Sequence, residues 1–341
     1  MRAVGYQAPA PITDEASLVD IELPKPAPAG RDLLVEVKAV SVNPVDYKIR
    51  RSTPPAGADW KVIGWDAAGI VSAVGPDVTL FQPGDEVFYA GSILRSGTNA
   101  EFHLVDERIV GHKPSTLDWA EAAALPLTAI TAWEAFFDRL DVNRPMAGAA
   151  PAILIIGGAG GVGSIAVQMA RQLTNLTVIA TAARAETRDW VKALGAHHVI
   201  DHAKPLAAQV AALGLGAPAF VFSTTHTDKH VAEIAELIAP QGRFCLIDDP
   251  KTFDIMLFKR KAVSIHHELM FTRSIFGTPD MAEQGRLLNE VARLVDAGKL
   301  RSTLTTRLSP INAANLKEAH ALVESGAARG KVVLDGFGPP A

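Results

Sequence analysis

Short apolar segments alternate with turns in the first third of the chain. Strands are predicted at LLVEVKAVSV (33–42), GIVSAVG (69–75) and EVFYAG (86–91), which are short and rich in β-branched residues. The turn sequences PAPAGRD, GPDV and QPGDE punctuate this part of the chain. The pattern therefore predicts a compact, irregular β domain at the start of the chain.

The pattern changes near Trp119, where alanine-rich segments with helical spacing begin and continue to residue 140. Strands and helices then alternate. The predicted strands are residues 152–158, 176–182, 197–202, 219–224 and 242–248, and the helices between them include residues 164–173, 186–195 and 228–238. Strand–helix repeats of this length predict an α/β protein with a doubly wound parallel sheet. An amphipathic helix is predicted at 283–298, before a closing GKVVLDGF.

A chain of 341 residues is too long for one small core, and two domains are expected. The β-rich pattern and the parallel-sheet pattern occupy different stretches of the chain, and a domain boundary is expected between them.

Composition and charge exclude several classes of partner. The chain is 48% apolar and 21% charged, which is typical of a soluble globular protein. Its net charge of −4 would not hold a phosphate backbone, so neither nucleic acid nor a membrane is expected as a partner. Cys245 is the only cysteine, which excludes a disulfide framework within the chain and suits a reducing compartment. The first residues lack a secretory signal, and a cytoplasmic location is expected.

A glycine motif opens the predicted parallel sheet. Gly158, Gly160 and Gly163 form GxGxxG directly after a strand and directly before a helix. Glycine permits a tight turn, and backbone N–H groups can then approach a pyrophosphate at the helix N-terminus. Glycine-rich turns with a structural role are common, but this setting favours a dinucleotide site. The candidate cofactor contacts are Gly158, Gly160, Gly161, Val162 and Gly163 in the turn, and Thr181, Ser223 and Leu246 at the ends of later strands.

The choice of dinucleotide depends on residues about 20 positions after the motif, where NAD sites usually place an acid. Ala182 and Ala183 occupy that position, while Arg184 and Arg188 follow within reach of a 2′-phosphate. NADPH is therefore the expected cofactor. The alternatives are that these arginines only solvate a helix start and that Glu186 reaches a ribose.

Motifs along the whole chain resemble those of a known family. They are SVNPVDYKIR (41–50), IGWDAAGIVSAVG (63–75), FQPGDEVF (81–88), NAEFHLVDE (99–107), AAALPLTAITAWEA (122–135), GGAGGVG (157–163), KALGAHHVID (192–201) and GKVVL (330–334). They resemble the medium-chain dehydrogenase/reductase superfamily and its quinone oxidoreductase branch, and are most similar to proteins labelled zinc-type alcohol dehydrogenase-like. The resemblance implies a GroES-like catalytic domain formed by residues 1–125 and 270–341, and a Rossmann dinucleotide-binding domain formed by residues 126–269.

The resemblance also locates the positions at which zinc-dependent members hold their catalytic metal. Those members use a cysteine, a histidine and a second cysteine, and the matching positions here are Asn43, Trp65 and Leu127. None of these is a ligand that zinc prefers, and the remaining Asp66 cannot hold the ion alone. We therefore expect no metal site.

Two histidine pairs are four residues apart, but neither is expected to hold a metal. His198 and His202 lie in a predicted strand and turn, and so do not share a helix face. His226 and His230 have helical i,i+4 spacing, but no third ligand lies near them in the sequence.

Without zinc as a Lewis acid, alcohol oxidation loses the usual means of deprotonating the hydroxyl group. Hydride delivery to a quinone or an α,β-unsaturated carbonyl needs only hydrogen-bond donors at the oxygen, followed by a proton. The resemblance thus implies an NADPH-dependent reductase of a small electrophilic acceptor. The alternatives are a zinc-dependent alcohol dehydrogenase and an NADPH-binding protein with little turnover.

The resemblance assigns provisional roles to individual residues. Asn43 is expected to orient the nicotinamide through its amide, although a cap asparagine before Pro44 is the simpler interpretation. Thr128 matches a position beside the nicotinamide, although a bond to its own helix backbone would also account for it.

Three more residues are catalytic candidates. Lys48 stands where many quinone reductases have a tyrosine, and it either polarises a carbonyl or is a surface charge. Asp66, like Asp46, matches a family acid that is expected to accept structural hydrogen bonds rather than transfer a proton. Tyr89 is expected to line the acceptor pocket.

The segment AVSIHHEL (262–269) ends the second domain and is apolar enough to pair with its own copy. Family dimers often join along this edge, and a homodimer is expected.

Overall fold

The computed structural model describes residues 1–56 and 59–338. Its contacts divide the chain into two compact units. The first consists of Met1–Ile130 and the residues from Phe271 onward, and the second is Thr131–Met270. Among the described residues, no helix is both long enough and apolar enough to span a bilayer.

Strands occupy the following ranges in chain order: β1 (Arg2–Tyr6), β2 (Val19–Glu22), β3 (Asp32–Val42), β4 (Lys61–Val62), β5 (Ala67–Val74), β6 (Glu86–Tyr89), β7 (Phe102–Asp106), β8 (Val110–His112), β9 (Ala150–Ile156), β10 (Thr177–Thr181), β11 (His198–Ile200), β12 (Pro218–Ser223), β13 (Arg243–Leu246), β14 (Ser264–His267), β15 (Leu304–Leu308) and β16 (Lys331–Asp335).

The α-helices are α1 (Pro44–Ser52), α2 (Trp119–Ala123), α3 (Pro126–Trp133), α4 (Gly161–Leu173), α5 (Ala185–Ala193), α6 (Leu206–Ala212), α7 (Thr227–Leu237), α8 (Thr272–Phe276), α9 (Glu283–Asp296) and α10 (Ala313–Glu324). Short 3₁₀ helices lie at Glu15–Ser17, Glu107–Ile109 and Ile255–Lys261, and a π-helical segment at Glu134–Arg139 follows α3.

The first unit is built on two sheets. The smaller has the strand order β2-β1-β4, and the larger has the order β15-β16-β3-β5-β6-β8, with β7 also paired to β3. The predicted β-rich character of this part of the chain is confirmed. The antiparallel pairing of β16 with β3 sets Val332 opposite Val42, so residues 331 and 43, although far apart in sequence, lie close together.

The second unit contains a six-stranded sheet in the order β11-β10-β9-β12-β13-β14, and all its neighbouring pairs are parallel. This is the strand order of a Rossmann sheet, and the predicted doubly wound fold is confirmed. Leu154, Ile156, Ile179, Val221 and Phe244 are among the fully buried side chains of its core. Burial along these strands explains their nearly continuous apolar sequences.

The helical stretch predicted at 119–140 is divided into α2, α3 and the π-helical segment. Pro126 begins α3, since a proline has no backbone N–H and suits a first helical position. Helices α1 and α10 were not predicted. The start of α10 nevertheless carries a capping signal, because the Asn312 side chain accepts a hydrogen bond of 2.8 Å from the Asn315 N–H.

Candidate functional site

The glycine-rich turn of the second unit joins β9 to α4. Strand β9 ends before Gly157, whose φ of +81° is a left-handed conformation that favours glycine. A Cβ atom on Gly163 would lie 2.1 Å from the Gly157 carbonyl oxygen, and one on Gly158 would lie 2.9 Å from the Ala180 Cβ. The turn is therefore compact only because these positions carry no side chain.

The first turn of α4 presents backbone donors. Gly160 precedes the helix in an extended conformation, and the first intrahelical bond is donated by Ser164 to the Gly160 carbonyl over 2.8 Å. The N–H groups of Gly161, Val162 and Gly163 come before this bond, at the positive end of the helix dipole. A Cβ on Gly160 would come no closer than 3.5 Å to another atom. These features fit the pyrophosphate of a dinucleotide.

Thr181 supports the turn from the neighbouring strand. Its Oγ1 accepts a hydrogen bond of 3.0 Å from the Gly157 N–H, and its carbonyl accepts one of 3.2 Å from the Gly158 N–H. Since the Thr181 side chain is buried, its observed role is to hold the turn.

Ser223 and Leu246 lie opposite each other at the carboxyl ends of β12 and β13. The Ser223 hydroxyl shares a hydrogen bond of 2.7 Å with the Thr227 hydroxyl, and the Leu246 carbonyl accepts one of 3.0 Å from the Glu268 N–H. Both side chains are buried. The sheet thus brings these predicted cofactor residues to the same edge as the glycine-rich turn.

The two predicted phosphate-binding arginines lie just after β10. Arg184 is at the N-cap position of α5, and its half-exposed guanidinium lies 3.6 Å from the Glu186 carboxylate. The Arg188 guanidinium donates to the carbonyl oxygens of Ala182 and Val199 over 3.4 and 3.5 Å. Two guanidinium groups therefore lie near the end of this strand, in a stretch that also contains the acids Glu186 and Asp189.

In the first unit, Asn43, Asp66 and Lys331 form what we call the buried polar cluster. The Lys331 ammonium lies 3.0 Å from Asp66 Oδ2 and also donates to Asn43 Oδ1 and to the Val42 carbonyl. Asn43 Nδ2 donates to the same Asp66 oxygen over 2.8 Å. All three side chains are at most 3% exposed. Burial of these groups is tolerable because each is hydrogen-bonded to another.

The cluster is tied to two helix starts. Asp66 Oδ1 accepts a hydrogen bond of 2.8 Å from the Leu127 N–H in the first turn of α3, where a carboxylate also interacts favourably with the helix dipole. Asn43 precedes α1, and its N–H donates to the side chain of Asp46. The predicted alternative for Asn43, a cap residue before Pro44, describes its observed position.

Burial changes the acid–base properties of the two aspartates. Burial raises the pKa of Asp46 to about 7, although the Asn43 N–H and the Lys331 ammonium oppose this rise. Burial also raises the pKa of Asp66, and this rise is opposed by Lys331, the Asn43 amide and the Leu127 N–H, each of which stabilises the carboxylate.

Trp65 occupies the position that the resemblance matches to a zinc-binding histidine. Its indole Nε1 donates to the Ser92 carbonyl over 3.1 Å, and its ring makes an edge contact with Phe271 at 6.3 Å between centroids. The side chain is fully buried and fills space. Among residues 1–56 and 59–338, no group of three or more His, Cys, Asp or Glu side chains is placed to hold a metal ion.

The remaining predicted site residues have separate surroundings. Tyr89 is fully buried, and its hydroxyl lies 3.1 Å from Nδ1 of His103, with the two rings stacked. Burial raises the pKa of Tyr89 and lowers that of His103 to about 4.

Lys48 is exposed on α1. The Thr128 hydroxyl donates to the Leu125 carbonyl over 3.1 Å, which is the local helix bond named above as its alternative.

Lys331 was not predicted as a site residue. It belongs to the motif GKVVL, in which a lysine begins an apolar strand. A lysine in such a strand must either reach solvent or find a buried anion, and this could have signalled a partner. The identity of the partner, Asp66, could not be read from the sequence because 265 residues separate the two.

Comparisons with known proteins agree with this architecture. Residues 29–115 match the family model described as alcohol dehydrogenase GroES-like domain, and residues 194–334 match the one described as zinc-binding dehydrogenase.

Relatives cover nearly the whole chain. A zinc-type alcohol dehydrogenase-like protein of Staphylococcus aureus (strain MSSA476) is 40% identical over 338 residues, covering 98% of this chain and 100% of the relative. A chloroplastic quinone-oxidoreductase of Triphysaria versicolor is 30% identical, with 98% of each chain covered. A crystal structure from Rhizobium etli CFN 42, provisionally assigned as a zinc-dependent alcohol dehydrogenase, is 85% identical with a TM-score of 0.98 and 99% of each chain covered. The chain therefore belongs to the medium-chain dehydrogenase/reductase superfamily of oxidoreductases, in the group of zinc-type alcohol dehydrogenase-like and quinone oxidoreductase proteins.

Proposed function

We propose that this protein is a zinc-independent, NADPH-dependent reductase that transfers a hydride to a quinone or an α,β-unsaturated carbonyl. One observation carries the proposal. The positions matched to the zinc ligands hold Asn43, Trp65 and Leu127, and the Lys331 ammonium lies 3.0 Å from the one carboxylate beside them, Asp66. That carboxylate already has a cationic partner, and a tryptophan or leucine side chain offers zinc no donor atom.

NADPH fits the residues of the second unit. The backbone donors of Gly161, Val162 and Gly163 suit the pyrophosphate, and the glycine-rich turn leaves room for it at Gly160. Arg184 and Arg188 would hold the 2′-phosphate, whose charge would compete with Glu186 for the Arg184 guanidinium.

NADPH, when bound, supplies the hydride. The acceptor needs no Lewis acid because quinones and enones are already electron-poor at carbon. Asn43 and Asp66 are bonded within the protein, so their role is to hold the starts of α1 and α3. Thr128, in the same turn of α3 as Leu127, would approach the nicotinamide carboxamide. Lys48 is the exposed cation among the candidates and would polarise the acceptor carbonyl, while Tyr89 contributes packing through His103.

A zinc-dependent alcohol dehydrogenase is the second candidate, because the names of several relatives contain the word zinc. The donor set of this chain does not favour it. Zinc binding followed by alcohol oxidation would require ligands other than the three residues at the matched positions.

A homodimer is also part of the proposal. Strand β14 is the last strand of the parallel sheet and has a neighbour, β13, on one side within that sheet. The 3₁₀ helix immediately before it exposes Ile255, Met256 and Leu257, which would be covered if a second copy joined along this edge. Light scattering of the purified chain would give twice the mass of 36.1 kDa if this is right, and the single mass if it is wrong.

The test is NADPH consumption by chelator-treated protein. The acceptors are 1,4-benzoquinone, 9,10-phenanthrenequinone and a medium-chain 2-alkenal, with NADH as the control cofactor and a primary alcohol with NADP⁺ as the control reaction. Turnover that survives chelation and favours NADPH supports the proposal. Activity that appears only after zinc is restored, or only with the alcohol, would contradict it.

A further inference from the structure

Lys331 is a buried ammonium whose hydrogen bonds all stay within the protein. Its three donors match three acceptors: the Val42 carbonyl at 3.2 Å, Asn43 Oδ1, and Asp66 Oδ2 at 3.0 Å. With its side chain 3% exposed, it presents nothing to a substrate. Any effect of Lys331 on a reaction must therefore pass through the groups that it holds.

The first of these groups is the amide of Asn43. Its oxygen faces the Lys331 ammonium, and its nitrogen faces the Asp66 carboxylate over 2.8 Å. Turning the amide over would set the NH₂ group against an ammonium and the carbonyl against a carboxylate. The ion pair thus fixes the orientation of the Asn43 side chain.

The second group is the first turn of α3, held by Asp66. One Asp66 oxygen accepts from both Lys331 and Asn43, and the other accepts from the Leu127 N–H over 2.8 Å. Since donors face both oxygens, the geometry accommodates the ionised carboxylate. Lys331 supplies the positive charge that makes an ionised carboxylate tolerable here.

The main effect of this ion pair is to fix the relative positions of the elements it joins, rather than to raise the net free energy of unfolding. The attraction within a buried ion pair is largely offset by the loss of hydration, whereas removing one partner leaves an uncompensated charge. The pair joins β16, the start of α1 and the start of α3, which lie far apart in the sequence.

We propose that Lys331 is a positioning residue for hydride transfer: through Asn43 and Asp66 it fixes the starts of α1 and α3 against each other. The inference rests on the proposed function, in which Asn43 and Asp66 hold the starts of α1 and α3, and Thr128 in α3 approaches the nicotinamide carboxamide.

The experiment compares Lys331→Met, Lys331→Arg and the double variant Asp66→Asn/Lys331→Met, with Lys299→Met as an exposed control. For each, kcat and KM are measured with NADPH and 9,10-phenanthrenequinone, and the free energy of unfolding is measured in urea. Hydrogen exchange of residues 126–133 is compared with that of residues 161–173.

Lys331→Met is expected to be less stable and to lose about tenfold or more in kcat, since small misplacements of a reacting geometry are costly. The double variant has no uncompensated buried charge and is expected to recover stability but not kcat, with exchange increased at 126–133 and unchanged at 161–173. Lys331→Arg, which keeps the charge, is expected to recover part of kcat. Lys299→Met should match the wild-type protein.

If Lys331→Met does not fold, the double variant is used to test the inference. A double variant with wild-type kcat and wild-type exchange at 126–133 would show that Lys331 only compensates charge, and would overturn the inference. Failure of the proposed function has a different signature, because the wild-type protein itself would then turn over none of the acceptors. In that case hydrogen exchange alone decides whether Lys331 positions α3.

Discussion

The glycine-rich turn and the buried polar cluster maintain their conformations by opposite means. The turn spans residues 157–163 and depends on absent side chains, because Cβ atoms at Gly158 and Gly163 would collide with their neighbours. The cluster depends on side chains that are present and mutually bonded, from residues 43, 66 and 331. One region leaves its backbone donors available for a ligand, while the other uses its polar groups internally.

This difference predicts how each region responds to substitution. A side chain added to the compact turn at Gly163 would collide with backbone atoms and force the turn to open. In the cluster, removing one side chain leaves the buried charges and hydrogen-bonding groups of the others without a partner, which lowers the free energy of unfolding. The following experiments separate these two kinds of failure.

The largest effect is expected for Gly163→Val. Its Cβ would lie 2.1 Å from the Gly157 carbonyl oxygen, a backbone atom that cannot give way easily, and the turn would open. NADPH binding, measured by fluorescence titration, should be lost.

Gly160→Ala is the matched control, since its Cβ would come no closer than 3.5 Å to another atom and its φ of −72° suits any residue. It should fold normally and bind NADPH more weakly. Normal binding by Gly163→Val would show that the turn tolerates a side chain.

Asp66→Asn should have the next largest effect. It leaves the Lys331 ammonium buried without a countercharge, and the free energy of unfolding should fall by about 3–5 kcal/mol. Urea denaturation measures this directly. Glu290→Gln, which breaks the exposed ion pair with Arg293, is the control and should change stability by less than about 1 kcal/mol. Equal effects of the two substitutions would mean that burial does not distinguish the cluster from a surface pair.

A smaller effect, confined to the second unit, is expected for Arg184→Ala and Arg188→Ala. Loss of a guanidinium at the 2′-phosphate should raise KM for NADPH by about tenfold and leave KM for NADH unchanged. Steady-state kinetics with both cofactors provide the measurement. Lys192→Ala, an exposed cation on the same helix, should change neither value. Equal changes for NADPH and NADH would show that the arginines do not select the phosphate.

The smallest effect is a pH dependence of stability, which we expect from Asp46, the acid bonded to the backbone of the cluster residue Asn43, and not from the glycine-rich turn. Asp46 has a pKa of about 7 in the folded protein, above its unfolded value of 3.8, so the folded protein binds the proton more tightly. The contribution of this bound proton to the free energy of unfolding is complete below pH 4. It declines as the pH rises and is lost as the pH passes through 7, with about 1 kcal/mol lost between pH 6 and 7.

Asp46→Asn should make the dependence of stability on pH less steep in this range; a part should remain, because burial also raises the pKa of Glu268, to about 8. Urea denaturation at several pH values tests this, and an unchanged slope in the variant would assign the dependence to another group. The glycine-rich turn, GGAGGVG, contains no titratable side chain and should contribute nothing to the slope.

The two regions also differ in how far the sequence predicts them. The turn could be located from the sequence because its glycines, the preceding strand and the following helix are all neighbours in the chain. The parallel strands were predicted for the same reason, since each carries its own apolar run. In the cluster, Asn43 and Asp66 were identified from the motifs that contain them, Asn43 with a role toward the nicotinamide and Asp66 as an acceptor of structural hydrogen bonds. Their bonding to Lys331, which is 288 residues from Asn43 and 265 from Asp66, depends on the pairing of β16 with β3, which no local pattern encodes.

The pairing of β16 with β3 also determines the order in which the molecule can be completed during synthesis. Residues 131–270 form their own unit and are finished on the ribosome before Lys331 is made. Asn43 and Asp66 are synthesised early, but they cannot bond to Lys331 until residue 331 has been made and has emerged. Until then the first unit contains a carboxylate without its partner, which disfavours early closure around it. Strand β16 therefore completes a domain that β1 to β8 began.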